Sequence, residues 1–246
     1  MTIETVEGIE RVAAAAWPTN ERTTVGEWVL SAGDGFSRRR NSTIPCGPVP
    51  ADVEQRLDDV AGWYVVRGLP VLYRITPTCD PSIDRILDER GYRAESLTVV
   101  MTRPLGALEV VADVTSSPVA TESWVSTELE ALGVDRSLVG PWLATIAVVP
   151  APVAFVTSMD GPQTAGAGFG MVDDGLLGVF EVAVRPDGRR WGHAKRIMSS
   201  LHAFGIRQDA EAVFLQVTED NVAALDLYRS IGYEPLDRYW YRRAEA

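Results

Sequence analysis

Two segments of this chain have one shape and lie 141 positions apart. Asp80-Pro-Ser-Ile-Asp-Arg-Ile-Leu-Asp-Glu-Arg-Gly-Tyr92 and Asn221-Val-Ala-Ala-Leu-Asp-Leu-Tyr-Arg-Ser-Ile-Gly-Tyr233 each read as a helix stopped by glycine, and Gly232 can take the left-handed conformation that ends a helix. A strand-like run precedes each, Leu72 to Pro77 and Val213 to Thr218. A β-like run follows each, Leu97 to Met101 and Tyr239 to Tyr241, and a helix-compatible stretch lies ahead of both strands, Val53 to Val65 and Lys195 to Ile206. One ungapped order at one offset predicts two related halves, with coincidence as the alternative because identities are few. The boundary then falls near Arg103-Pro-Leu-Gly106, giving a first, degenerate or accessory domain over 1–104 and a second over 105–246.

The second half reads as a helix from about Glu122 to Leu132, then apolar runs at Val153 to Thr157, Ala167 to Val172 and Leu176 to Val184. Asp160-Gly161-Pro162 and Asp173-Asp174-Gly175 supply turn chemistry between the runs. Three strands joined by turns, then helix, strand, helix and strand, predict an α+β fold rather than alternating βα units.

Composition narrows the function. Of 246 residues, 46% are hydrophobic and 23% charged, the balance of a soluble globular protein, and no apolar run approaches the roughly 20 residues that cross a bilayer. The N-terminal Met1-Thr-Ile-Glu-Thr-Val-Glu-Gly-Ile-Glu10 is acidic and has no secretory-signal pattern, so a cytoplasmic location and no membrane partner are expected. The net charge of −11 argues against nucleic acid as a partner, because such binders concentrate positive charge. Its long-range field mildly favours cationic substrates. Cys46 and Cys79, with His193 and His202, offer no ligand cluster, so neither a metal site nor a disulfide framework is expected.

The chemistry is carried by Val184-Arg-Pro-Asp-Gly-Arg-Arg-Trp-Gly-His-Ala194. A strand ends at Val184, Pro186 stops it, and a loop opens a helix. Gly192 and the small Ala194 let a bulky ligand approach the backbone. Unpaired N–H groups and the positive end of the helix dipole favour an anion such as a pyrophosphate, and Arg189 and Arg190 add charge. On its own such a loop is equally an ordinary tight connection.

Val184-x-Pro186-x-x-Arg189-x-x-Gly192-x-Ala194 resembles the acyl-CoA pyrophosphate loop of the GNAT superfamily of N-acetyltransferases. Downstream, Asn221-x-x-Ala224-x-x-Leu227-Tyr228-x-x-x-Gly232-Tyr233 resembles that family's second signature. Ala194 departs from the family, which more often has glycine there, but remains small. The resemblance implies a GNAT-like mixed sheet flanked by helices, acetyl-CoA as donor without a metal, and transfer of acetyl to a primary amine on a small molecule or a protein. It also implies that backbone amides of Arg189, Arg190, Trp191, Gly192, His193, Ala194 and Lys195 hold the CoA pyrophosphate. The pantetheine arm would run beside Val182, Ala183 and Val184 like an added strand, and Asn221 would help to hold it. Tyr228 would protonate the departing thiolate.

Those roles make chemical sense. A CoA thiol has a pKa of about 8.5, and a phenol within hydrogen-bond reach can donate to the leaving sulfur. Tyr228 also lies on one helical stripe with Ala224, Leu227 and Ile231, so packing is the alternative. An acceptor ammonium is about 99.9% protonated at neutral pH and must lose a proton before it attacks. Glu181 is the carboxylate on the strand leading into the loop, and strand alternation places it with Ala183, opposite Phe180, Val182 and Val184. Proton loss through water, or a structural role for Glu181, are its alternatives.

In the repeat frame, Asn221 is matched by Asp80, Tyr228 by Leu87, and the loop by Ile44-Pro-Cys-Gly-Pro48, so the first half keeps the shape without the donor site. Arg38-Arg39-Arg40 reads as a solvated basic face or a grip on a substrate anion. Trp28, Trp63, Trp124 and Trp142 are expected to fill cores, and His193 to point away from the phosphates. A non-catalytic acyl-CoA sensor, or a purely structural interaction domain, would be the other functional classes. Monomer and homodimer are both compatible with the sequence.

Overall fold

The computed structural model describes residues 3–33, 37–108 and 113–245. In chain order its elements are α1 (Ile3–Ala16), β1 (Glu21–Val25), β2 (Trp28–Ala32), β3 (Thr43–Ile44), α2 (Val53–Val65), β4 (Leu72–Ile75), α3 (Pro81–Glu89) and β5 (Arg93–Pro104). They continue with β6 (Val114–Ser117), α4 (Glu122–Leu132), α5 (Val139–Ile146), β7 (Val153–Asp160), β8 (Gln163–Asp173) and β9 (Leu176–Val184). The last are α6 (His193–Arg207), β10 (Ala212–Thr218), α7 (Val222–Ser230) and β11 (Glu234–Arg243). This is a mixed α+β fold, a large sheet flanked by helices.

The chain divides into two compact units, neither contiguous in sequence. One comprises Met1–Pro18, Met101–Gln216 and Ala223–Pro235; the other Thr19–Val100, Val217–Val222 and Leu236–Ala246.

In the first unit the strand order is β10-β9-β8-β7-β6, with β9 and β10 parallel and the other neighbours antiparallel. Helices α1 and α4 pack on one face of these strands and α6 on the other. Alternation along β8 separates the faces. Phe169 meets Trp17, Trp124, Phe155 and Phe180 at ring-centroid distances of 5.2–6.1 Å. Gly168, pointing the other way, faces Ile197 of α6, whose Cγ2 lies 2.9 Å from where a glycine Cβ would be. Side chains on that face of β8 would hold α6 off the sheet. Helix α4 starts where the Thr121 hydroxyl accepts from the Trp124 amide at 3.1 Å and stops at Gly133, φ 67°.

In the second unit the order is β1-β2-β3-β4-β11-β5. Helices α2 and α3 bury Leu57, Val60, Tyr64, Ile83 and Leu87 in a core with Trp28, Leu30, Tyr73 and Ile75. Arg242 of β11, nearly buried, donates to both carboxylate oxygens of Asp84 at 2.8 and 2.9 Å and to the Tyr92 carbonyl at 3.0 Å.

The internal similarity is reproduced element by element. Pro81 to Glu89 of α3 maps onto Val222 to Ser230 of α7, each 141 positions on, and Arg93 of β5 maps onto Glu234 of β11. The stops match as well: Tyr92 N donates to Leu87 O at 2.9 Å and Tyr233 N to Tyr228 O at 3.0 Å, with Gly91 and Gly232 at φ 81° and 87°.

One local expectation changes. The basic run is neither a solvated face nor an open anion grip: Arg40 is buried against Asn20, Arg39 donates to the Tyr239 hydroxyl, and Arg38 pairs with Glu95. The two cysteines, distant in sequence, lie opposite each other in a β-bridge, Cys46 across from Cys79.

Candidate functional site

Strand β9 is regular as far as Val179 and then changes. Its pairing with β10 ends at Val179 opposite Leu215, whereas its pairing with β8 runs on to Val184 opposite Gly166. Ala183 opposes Ala167 and Phe180 opposes Phe169, so Glu181 and Val182 together face Gly168: a β-bulge. Glu181 sits at φ 50°, a left-handed conformation that costs a non-glycine residue roughly 1–2 kcal/mol. Strain of this kind persists where neighbouring structure enforces it.

The bulge corrects the alternation expected for this strand. Val182 and Val184 do face α6, where their methyls and Ile197 flank Gly168 and Gly166. Phe180, however, stacks on Phe169 on the α4 face, and Glu181 turns to that same face, toward Glu128 of α4. The extra residue shifts the side-chain phase by one.

Beyond β9, Pro186–Gly188 forms one 3-10 turn, and Gly188 is buried against Ala165. Arg190 and Gly192 take φ of 69° and 84°, and Gly192 caps α6. The Arg189 amide turns inward to Pro186 O at 3.5 Å, and the Arg196 amide begins the helical ladder at Gly192 O. Between them, the amides of Arg190, Trp191, Gly192, His193, Ala194 and Lys195 have no backbone partner among the described residues. The first-turn N–H groups of any helix lack an acceptor within it. Trp191, Arg190 and Lys195 are exposed, and the Arg189 side chain folds back toward Val184 O and Ala131 O.

His193 does turn away from the loop. It is 3% exposed, its Nδ1 lies 2.9 Å from the Ser158 hydroxyl, and burial, helped by Arg196, pulls its pKa below the usual histidine value. Trp124 is a core residue, buried, with its indole N–H shared between Val156 O and Gly168 O at 3.1 Å each.

Tyr228, on α7, is 7% exposed and packs beside Tyr233. Burial first, and the charge of Glu181 second, push its phenol up to about 12. The structure therefore brings Glu181 and Tyr228 together. Asn221 is exposed and directly precedes α7, its amide donating to Thr218 O at 3.0 Å; it falls in the second compact unit.

The residue that sequence reasoning passed over is Glu128. It is fully buried, and neither carboxyl oxygen has a hydrogen-bond partner of regular geometry among the described residues. Burial, then the Glu181 charge, drives its pKa well above the ordinary carboxylate value, with the Trp142 indole pulling slightly the other way. A signal was present. Glu128 lies four residues after Trp124 and three after Val125, on the apolar stripe of α4, where a carboxylate is out of place.

Among the described residues, no group of three or more His, Cys, Asp and Glu is arranged to hold a metal ion, and no helix is long and apolar enough to cross a membrane.

Comparisons with known proteins give the family and the fold. The family described as "Probable histone acetyltransferase Rv0428c C-terminal" matches residues 4–242. An uncharacterized N-acetyltransferase of Bacillus subtilis, YobR, is 24% identical over 246 residues, covering 98% of this chain and 99% of its own. The probable histone acetyltransferase Rv0428c of Mycobacterium tuberculosis is 27% identical over 190 residues, 76% of this chain and 52% of that protein. Among solved structures, a GCN5-related N-acetyltransferase from Kribbella flavida shares the fold, with a TM-score of 0.70 at 17% identity over 98% of this chain and 93% of that one. The fold is thus that of GCN5-related N-acetyltransferases, and with its family model spanning almost the whole sequence the chain belongs to the Rv0428c C-terminal acetyltransferase family.

Proposed function

We propose that this protein transfers an acetyl group from acetyl-CoA to a primary amine by direct attack. One observation carries the reading: the six unpartnered amides from Arg190 to Lys195 follow directly from the stretch of β9 that has lost its β10 neighbour. Amides at a helix start, with the dipole behind them, suit a diphosphate. The unpaired edge at Val182, Ala183 and Val184 suits an extended amide-bearing arm, which would add as a strand. That arm would lead the thioester back toward the bulge, where Glu181 and Tyr228 lie.

Glu181 takes one proton from the acceptor ammonium, whose freed lone pair attacks the thioester carbon. The carbon–sulfur bond breaks, and the thiolate takes a proton from Tyr228. The tyrosinate recovers that proton from the nitrogen, which has become an amide. We also read the second unit as a relic of the same ancestor, because its matched helix carries Leu87 where α7 carries Tyr228 and Asp80 where Asn221 stands.

The test is calorimetric titration with acetyl-CoA, followed by thiol release with a panel of amines that includes a lysine peptide and polyamines. Heat with micromolar affinity and release with at least one amine supports the reading. No heat with any CoA species removes it, and binding without release across the panel favours a sensor.

A further inference from the structure

A fully buried carboxyl without a regular partner is expensive. Left charged, it would cost many kcal/mol, and even a neutral polar group in that position costs about 1–3 kcal/mol. Glu128 occupies such a place, at 0% exposure, on a helix that packs on β7, β8 and β9. A leucine there would satisfy the stripe of α4. The charged group that faces it is Glu181 from β9; Trp142 of α5 offers its indole; and Glu181 in turn faces Tyr228 of α7. Glu181 is brought to that face by the bulge and its left-handed backbone. Two features that each cost stability, a strained residue and a buried acid, thus converge on one contact.

We propose that Glu128 is a positioning residue that works through Glu181, the two carboxyls acting as one proton-sharing unit that takes up the proton lost by the acceptor amine. Glu128 holds the unit's last proton while the acceptor is absent. As that proton leaves to solvent with rising pH, the pair as a whole is emptied and can accept the proton of the ammonium. The N–H bond of the ammonium then breaks, its electron pair stays on nitrogen, and the proton forms an O–H bond on Glu181. Like-charge coupling is a direct way to bring a carboxyl's basicity toward neutral pH, where a general base is most effective. This deepens the acyltransferase reading and rests on it for the chemical step, whereas the sharing of the proton is a property of the free protein.

Two measurements separate these. In protein labelled with carbon-13 at the glutamate carboxyls, Glu128 should stay protonated through neutral pH, and Glu181→Gln should move its titration to lower pH. If Glu128 titrates in the ordinary carboxylate range, or Glu181→Gln leaves its midpoint in place, the unit does not exist, whether or not the protein transfers acyl groups. The kinetic arm uses an acceptor amine of low basicity, so that the amine's own ionisation lies outside the range. Glu128→Gln should then lower kcat at least tenfold, leave KM for acetyl-CoA unchanged, and move the acid limb of kcat/KM by one pH unit or more toward acid. Glu128→Asp should restore part of that limb. An unmoved limb in Glu128→Gln, with only a changed melting temperature, would reduce Glu128 to a structural residue and overturn the proposal.

Discussion

Tyr228 and Glu181 come from α7 and the bulge of β9, yet the charge of one reaches the phenol of the other, and with burial it raises the Tyr228 pKa to about 12. A phenol so shifted keeps its proton across the whole neutral range. In the proposed mechanism it is therefore loaded as a donor when the thiolate departs.

Tyr228→Phe should accordingly lower kcat by about 10²–10⁴, the usual contribution of a positioned general acid, with little change in acetyl-CoA affinity. Because the folded pKa lies near 12, Tyr228 should add no alkaline limb between pH 6 and 10. Thiol release across that range, alongside calorimetry, checks both statements. Full turnover by the Phe variant would leave Tyr228 with a packing role beside Tyr233.

Gly192 holds φ 84° at the cap of α6, with nothing within 4 Å of its absent Cβ. Gly192→Ala should therefore cost only about 1–2 kcal/mol of backbone strain. Gly192→Asp adds a negative charge among the unpartnered amides and should abolish acetyl-CoA binding while the protein stays folded. Calorimetry paired with a thermal melt distinguishes the two variants.

Gly168 faces Ile197 Cγ2 at 2.9 Å and Val182 Cγ2 at 3.2 Å from its virtual Cβ. Gly168→Ala should push α6 away from β8 at a cost of about 1–3 kcal/mol, the range for overpacking. The thermal midpoint should fall by several degrees. An unchanged midpoint would mean that Ile197 yields easily.

Asp84 accepts twice from Arg242, and that pairing lowers its pKa below the usual aspartate value. A depressed folded pKa means that the contribution is present above the unfolded value, near 3.9, and fades as pH falls through the folded value. Asp84→Asn should cost about 2 kcal/mol at pH 7, between the figures for exposed and buried pairs. The difference from the native protein should shrink between pH 7 and strongly acidic pH, as the native carboxyl is protonated on passing through its lowered folded value. Urea unfolding at the two pH values measures it.

Much of this was legible in residue patterns. Strand β9 and helices α2 and α4 coincide with the stretches read from the sequence, Leu176 to Val184, Val53 to Val65 and Glu122 to Leu132, because β9 is an apolar run set off by the Asp173-Asp174-Gly175 turn and both helical stretches carry helix-compatible residues. Helix α6 was legible too, starting two residues earlier than expected, at His193. Helix α1, helix α5 and the short strands β1, β3 and β6 were not: α5 is apolar nearly all round, and β3 is only two residues long, so neither has a period to detect. The loop's residues supported the proposal of an anion site, but the phase of Glu181 did not follow, since a bulge inserts a residue without any change in composition. Glu128 was hidden for a related reason. Its meaning depends on which side of β9 its neighbour faces, and alternation had assigned Phe180 and Glu181 to opposite sides.

The two compact units are threaded through each other in sequence: α1 covers β8 and β9 of a unit otherwise built after residue 100, and β11 lies beside β4 of the unit begun before it. During synthesis the earlier unit must therefore wait, with the edge of β4 unprotected, until everything through α7 has been made. A single protease nick near residue 104 would not release two independent halves, because each fragment would carry a piece that the other needs.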